Sequence, residues 1–119
     1  MEETRMIAPT KQEMMIIDDF VGSTSGSPSR RTTKHFAIVG QAKLVVLIHS
    51  NVQVTLTIHE GIDETAPGIG TSIAQTEEII EAGCAKKIEI TLGGKWVILD
   101  VLSDSGDATI QIFATARAF

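Results

Sequence analysis

Residues 93–119 read GGKWVILDVLSDSGDATIQIFATARAF, and how this stretch is read decides the fold. Its second half, residues 108–118, alternates apolar and polar side chains with a period of two, as a strand with one buried face does. Ile110, Ile112, Ala114 and Ala116 are expected to face a core. The first half, residues 96–101, is apolar on both faces of any strand: Trp96, Ile98 and Leu102 oppose Val97, Leu99 and Val101. One of those faces belongs to the core, and the other needs a cover. The linking SDSGD suits a tight hairpin loop.

The same grammar runs upstream. Residues 43–49, KLVVLIH, form a continuous β-branched and Leu run, residues 52–58 alternate cleanly, and HSNV between them reads as a hairpin turn. EGIDETAPGIGTS is the longest Gly/Pro-rich interruption and is expected to be an exposed loop. IAQTEEIIEAG fits neither period well. It is taken as a strand ending in a turn, because strand patterns surround it and Gly83 closes it. KKIEITLGG then alternates with Ile88, Ile90 and Leu92 inward. Counted this way, residues 34–119 hold about seven strands at roughly ten-residue spacing, the pattern of an all-β antiparallel sandwich or jelly roll, with a small closed barrel as the alternative that uses the same patterning. A docked N-terminal strand raises the count to about eight.

Residues 1–33 look different. GSTSGSPSRRTTK, residues 22–34, has no hydrophobic side chain and reads as a linker or extended arm. Upstream of it stands a compact apolar cluster of Met14, Met15, Ile16, Ile17, Phe20 and Val21. A cluster this small cannot form a core alone, so it must dock on the body or on a partner. The division is therefore an N-terminal arm and linker, 1–33, and a sandwich body, 34–119.

Composition narrows the function classes. The 119 residues carry a net charge of −5, with 4% aromatic residues and no Tyr. Nucleic acid is not an expected partner of an acidic, aromatic-poor chain. No stretch approaches the roughly eighteen apolar residues of a membrane span, and the N-terminus lacks the basic-then-apolar pattern of a secretory signal. No membrane partner is expected, and assembly is expected in the cytoplasm. Cys84 is the single cysteine, which rules out an internal disulfide, and it is taken as a buried, inert thiol.

Chemistry-bearing residues are few. His35, His49 and His59 are scattered, and HEGIDET after His59 has neither the spacing of a helical zinc site nor the rhythm of a calcium loop. Nothing local pairs Cys84 with a histidine base. Glu77 with Glu78, and Asp104 with Asp107, are read as surface carboxylates, and Gly68, Gly70, Gly93 and Gly94 as turn glycines. No catalytic residue, metal ligand or cofactor site is assigned, and no enzymatic activity is expected.

Two-sided hydrophobicity is the feature that asks for a partner. If Ser50 and Asn51 form a two-residue turn, Val45 and Leu47 share a face with Val54 and Leu56, which leaves Val46 and Ile48 outside. The interface residues expected from this reasoning are Met14, Met15, Ile16, Ile17, Phe20, Val46, Ile48, Trp96, Val97, Leu99 and Val101.

The runs FAIVGQAKLVVLIHSNVQVTLTIHEGID (36–63) and IIEAGCAKKIEITLGGKWVILDVLSDSGDATIQIFATARAF (79–119) resemble the small jelly-roll virion proteins of tailed phages, the capsid decoration (cement) and head-fibre proteins. The shared sequence of features is an apolar strand pair, a loop, an AG turn, a GK-aromatic-V strand, a Gly/Asp hairpin and a small-residue-rich last strand. The resemblance implies a non-enzymatic structural protein, a homotrimer on the capsid exterior in contact with the major capsid protein, with residues 1–33 reaching to a neighbour. Two alternatives stand beside it. One is a carbohydrate- or receptor-binding module of a fibre or tail tip, using Trp96, Phe36 and the HEGIDETAPG loop. The other is a head-to-tail connector or tail component.

Overall fold

The computed structural model describes residues 14–118. They form nine strands: β1 (Met14–Ser23), β2 (Ser29–Thr32), β3 (Phe36–Ala37), β4 (Ala42–Ser50), β5 (Val54–Gly61), β6 (Ala74–Ile80), β7 (Ala85–Leu92), β8 (Trp96–Ser103) and β9 (Thr109–Ala118), with one short 3-10 turn, Ile69–Thr71. Two antiparallel sheets pack face to face. The first has the order β1-β9-β4-β7, and the second β2-β8-β5-β6 with β3 also paired to β8.

The pairing is nested. β1 pairs with β9, β2 and β3 with β8, β4 with β7, and β5 with β6. It is one long antiparallel ribbon whose tip is the loop between β5 and β6. Rolling the ribbon round itself brings β9 against β4 and β8 against β5, and that is a jelly roll. The expectation of an antiparallel, jelly-roll-like sandwich holds, with nine strands rather than about eight. The segment IAQTEEIIEAG is strand, as β6.

Two expected hairpins are absent. β4 and β5 lie in different sheets, and so do β8 and β9, so HSNV and SDSGD carry the chain across the end of the sandwich. This changes which residues face inward. Leu44, Val46, Ile48, Val54, Leu56 and Ile58 all point into the core, because the alternation continues unbroken over the crossing. Val46 and Ile48 are therefore core residues, and Leu47 lies outside.

The N-terminal apolar cluster docks on the body as a strand, and part of the linker joins it. β1 is an edge strand of the first sheet, paired with β9 from Met14 to Ser23, and β2 is an edge strand of the second. The sandwich thus includes residues on the N-terminal side of position 34. Residues 1–13, the remainder of the expected arm, lie outside the described residues. A bulge between Ile16 and Asp18 re-aims β1, so that Ile17 enters the core and Asp18 turns toward the second sheet.

Asp18 shows what closes the sandwich. Its carboxylate accepts a 2.6 Å hydrogen bond from Arg31 Nη2 of β2, and the same guanidinium lies 3.7 Å over the Phe20 ring. On the opposite edge Lys86 of β7 meets Glu78 of β6 at 2.9 Å. Each open edge between the sheets is bridged by one ion pair whose members stand at inward-facing register positions. Inward charges on edge strands also discourage pairing with another chain.

The second face of β8 finds its cover within the chain. Val97, Leu99 and Val101 join the inter-sheet core. Trp96 lies flat on Gly61 of β5 and its indole N–H donates to the Asp63 carbonyl at 2.9 Å. Ile98 is buried beside its register neighbour His59. Asp100, also buried, accepts hydrogen bonds from Arg30 (3.0 Å) and Thr32 (2.6 Å).

Candidate functional site

Eleven residues were expected at an interface, and the fold distributes them unevenly. Ile17, Val46, Ile48, Trp96, Val97, Leu99 and Val101 are buried by the chain's own two sheets, and Met15 and Phe20 are half-buried against that core. The seven buried side chains cannot meet a partner without opening the chain's own packing, while Met15 and Phe20 keep part of their surface. Met14 and Ile16 alone remain exposed, and both stand on the outer face of the first sheet.

That outer face is the candidate interaction surface. Among the described residues, five of the nine exposed large apolar side chains stand on it: Met14, Ile16, Val21, Leu47 and Phe113. Solvent-facing sheet surfaces ordinarily alternate to polar, so a cluster of this kind marks a contact surface. Register orders it into rows. Asp19, Phe113, Leu47 and Lys87 lie side by side across β1, β9, β4 and β7, and the next row is Val21, Gln111, His49 and Ala85. Together these two rows line a groove of about 550 Å³. Val21 is 73% exposed and Phe113 40%, while Ala85 offers only a methyl group. Glu89 bridges Lys87 (2.9 Å) and Lys43 (3.1 Å) on the same face, and these hydrogen bonds hold its carboxyl below the usual range, Lys87 contributing most.

Sequence reasoning missed Val21, Leu47 and Phe113 as partners on one surface. Phe113 had a signal: it occupies the polar phase of β9, among Thr109, Gln111, Thr115 and Arg117. Leu47 had none, because its phase depends on whether the turn after Ser50 returns to the same sheet.

The residues that resembled chemistry are otherwise engaged. The chain places His59, buried, with Nδ1 3.1 Å from Ser72 Oγ. Since the Ser72 hydroxyl donates to the Ile69 carbonyl, the imidazole N–H is the donor to Ser72. Burial pushes the His59 pKa below 6.5, opposed by the nearby Asp100 carboxylate, helped by Arg30 and opposed again by Glu77. Glu60 accepts the backbone N–H groups of Gly93 (2.8 Å) and Gly94 (3.1 Å), which ties the β7–β8 turn to β5. Asp63 caps its own turn through Thr65 and Ala66, which lowers its pKa, and Glu64 pairs with Lys95. The three HEGIDET carboxylates therefore point to three different sets of partners, and among the described residues no three His, Cys, Asp or Glu side chains converge on a metal position. Cys84 is exposed in the β6–β7 turn, contrary to the buried thiol expected.

The chain matches no family model, no curated protein and no solved structure. The reading of its function therefore rests on the residues themselves and on the resemblance described above.

Proposed function

We propose that the chain is a non-enzymatic structural protein of a virion: a homo-oligomeric capsid decoration (cement) protein, trimeric as the resemblance implies, seated on the exterior of the major capsid lattice. The observation that carries this reading is the exposed apolar face of the first sheet, built from Val21, Leu47 and Phe113 on a closed and otherwise self-sufficient jelly roll. A surface of that kind suits lattice contact better than turnover, which needs convergent polar groups. The carbohydrate-binding alternative loses its aromatic residues to the interior, since Trp96 is buried and Phe36 is half-buried against the core.

Pelleting is the direct test. The purified chain is mixed with capsids of the virus that carries the gene, and the pellet is measured for stoichiometry. Saturable binding at a fixed copy number per lattice site is expected. A chain that stays in the supernatant overturns the reading, and a small copy number confined to one vertex reassigns it to a connector. Binding to a glycan array that survives loss of capsid binding would favour the receptor-module alternative.

A further inference from the structure

We infer that the outer face of the first sheet binds the same face of a second copy, about a two-fold axis parallel to the strands and lying between β9 and β4. The argument is in the rows. Reading Asp19–Phe113–Leu47–Lys87 backwards exchanges an anion for a cation at the ends and one large apolar side chain for another in the middle. A two-fold axis along the strands performs that reversal. It sets Asp19 of each copy against the partner's Lys87 and Phe113 against the partner's Leu47.

The neighbouring row, Val21–Gln111–His49–Ala85, reverses equally well. Its polar centre pairs Gln111 with the partner's His49. Its ends set the projecting Val21, 73% exposed, over the partner's Ala85, where the surface is hollow for want of a side chain. Two adjacent rows are thus self-complementary in charge, polarity and size, which is what an isologous contact requires. These rows line the groove, so each copy's Val21 has a place to go. The axis also superposes β9 of one copy on the antiparallel β4 of the other with their axes in line, the aligned mode of sheet packing.

The size of the face sets the affinity class. The two complementary rows, four strands about 4.8 Å apart and four residues of about 3.3 Å rise, cover roughly 250 Å² per copy. Roughly 500 Å² in total lies below the standard size of specific interfaces, so the pair is weak, reversible and dependent on concentration. The pair would occupy the same face that the virion reading gives to the capsid lattice, so the two contacts compete, and the inference does not depend on that reading.

Charge exchange tests it without disturbing the core, since Asp19 and Lys87 are both exposed. Sedimentation velocity over about 1 µM to 1 mM is expected to show a monomer–dimer equilibrium, or a doubling of any ring. Asp19→Lys and Lys87→Asp each put like charges together and should weaken association about tenfold or more. The double variant D19K/K87D should recover to within about threefold, because the exchanged row is again self-complementary. A wild-type chain with no association across that range overturns the inference, as does association indifferent to D19K or a double variant as weak as the singles. Pairing that obeys the charge exchange in a chain that ignores capsids leaves the inference standing and removes the virion reading. Capsid binding by a chain whose association ignores the exchange does the reverse.

Discussion

Replacing Gly61 with Ala should destabilise the protein by about 2 kcal/mol, and the whole cost should come from Trp96. A Cβ built at position 61 would lie 2.1 Å from Trp96 Cζ2 and 2.6 Å from Cη2, against an ordinary contact of 3.4–4 Å. The indole cannot slide far. β8 is held between β5 on one side and β2 and β3 on the other, and the ring N–H is fixed to the Asp63 carbonyl. Expelling the ring would cost its buried area, roughly 200 Å² at ~25 cal/mol per Å², or about 5 kcal/mol. A strained shift is cheaper: about 2 kcal/mol for overpacking and about 1 kcal/mol for the weakened indole hydrogen bond. From this is subtracted the ~0.5–1 kcal/mol that Gly→Ala returns by restricting the unfolded chain. Equilibrium urea unfolding followed by circular dichroism measures the difference. Trp96 is the only Trp, so its emission also reports whether the ring has moved. Trp96→Leu removes the atoms that the new Cβ strikes, and in that background Gly61→Ala should be neutral or slightly stabilising. A cost below about 0.5 kcal/mol in the Trp background, or an equal cost in both backgrounds, refutes the reasoning.

Two further outcomes follow from the buried polar groups. Arg31→Ala leaves the Asp18 carboxylate buried without its cation and uncovers Phe20, and should cost about 3 kcal/mol by urea unfolding; Asp18→Asn in the same background should recover most of it. His59 makes stability depend on pH: its folded pKa lies below 6.5 because of burial, so the unfolded chain takes up the proton first as pH falls. The stabilisation is fully present above pH 6.5 and is lost as pH drops through 6.5 toward the folded pKa; the slope of urea midpoint against pH in that window should flatten in His59→Asn, and an unchanged slope would assign it to another group.

Strand positions and inward residues were largely legible, because period-two alternation depends only on local side chains. Ile88, Leu92, Ile110, Ile112 and Ala114 face the core as the pattern requires. What the pattern does not carry is which sheet a strand joins. Ser50 and Asn51 reverse the chain whether the next strand pairs with β4 or crosses above it, and the jelly roll takes the second course. That single ambiguity inverted the reading of Val46, Ile48 and Leu47. The linker misled for another reason. Residues 29–32, SRRT, contain nothing apolar, yet as an edge strand they need only backbone pairing with β8 and side chains for Asp100 and Asp18. Those demands are met by arginines, which in sequence look like solvated charge.

The two-sided apolar strand that first suggested a partner is thereby explained without one, and the need for a partner moves elsewhere. The second face of β8 is buried within the chain, with Trp96 anchored to the loop after β5 and Ile98 packed beside His59. Both open edges carry inward ion pairs, Asp18–Arg31 and Glu78–Lys86, that oppose strand addition. An assembly built by adding strands edge to edge is disfavoured by this design, and one built by stacking faces is not. The second sheet's outer face is occupied by Asp100, His59 and their partners, whereas among the described residues the first sheet's carries Val21, Leu47 and Phe113 with no such cover. The residues that keep the edges quiet therefore also direct association to one face, and a variant that opens an edge, such as Arg31→Ala, should trade ordered pairing for aggregation as it loses stability.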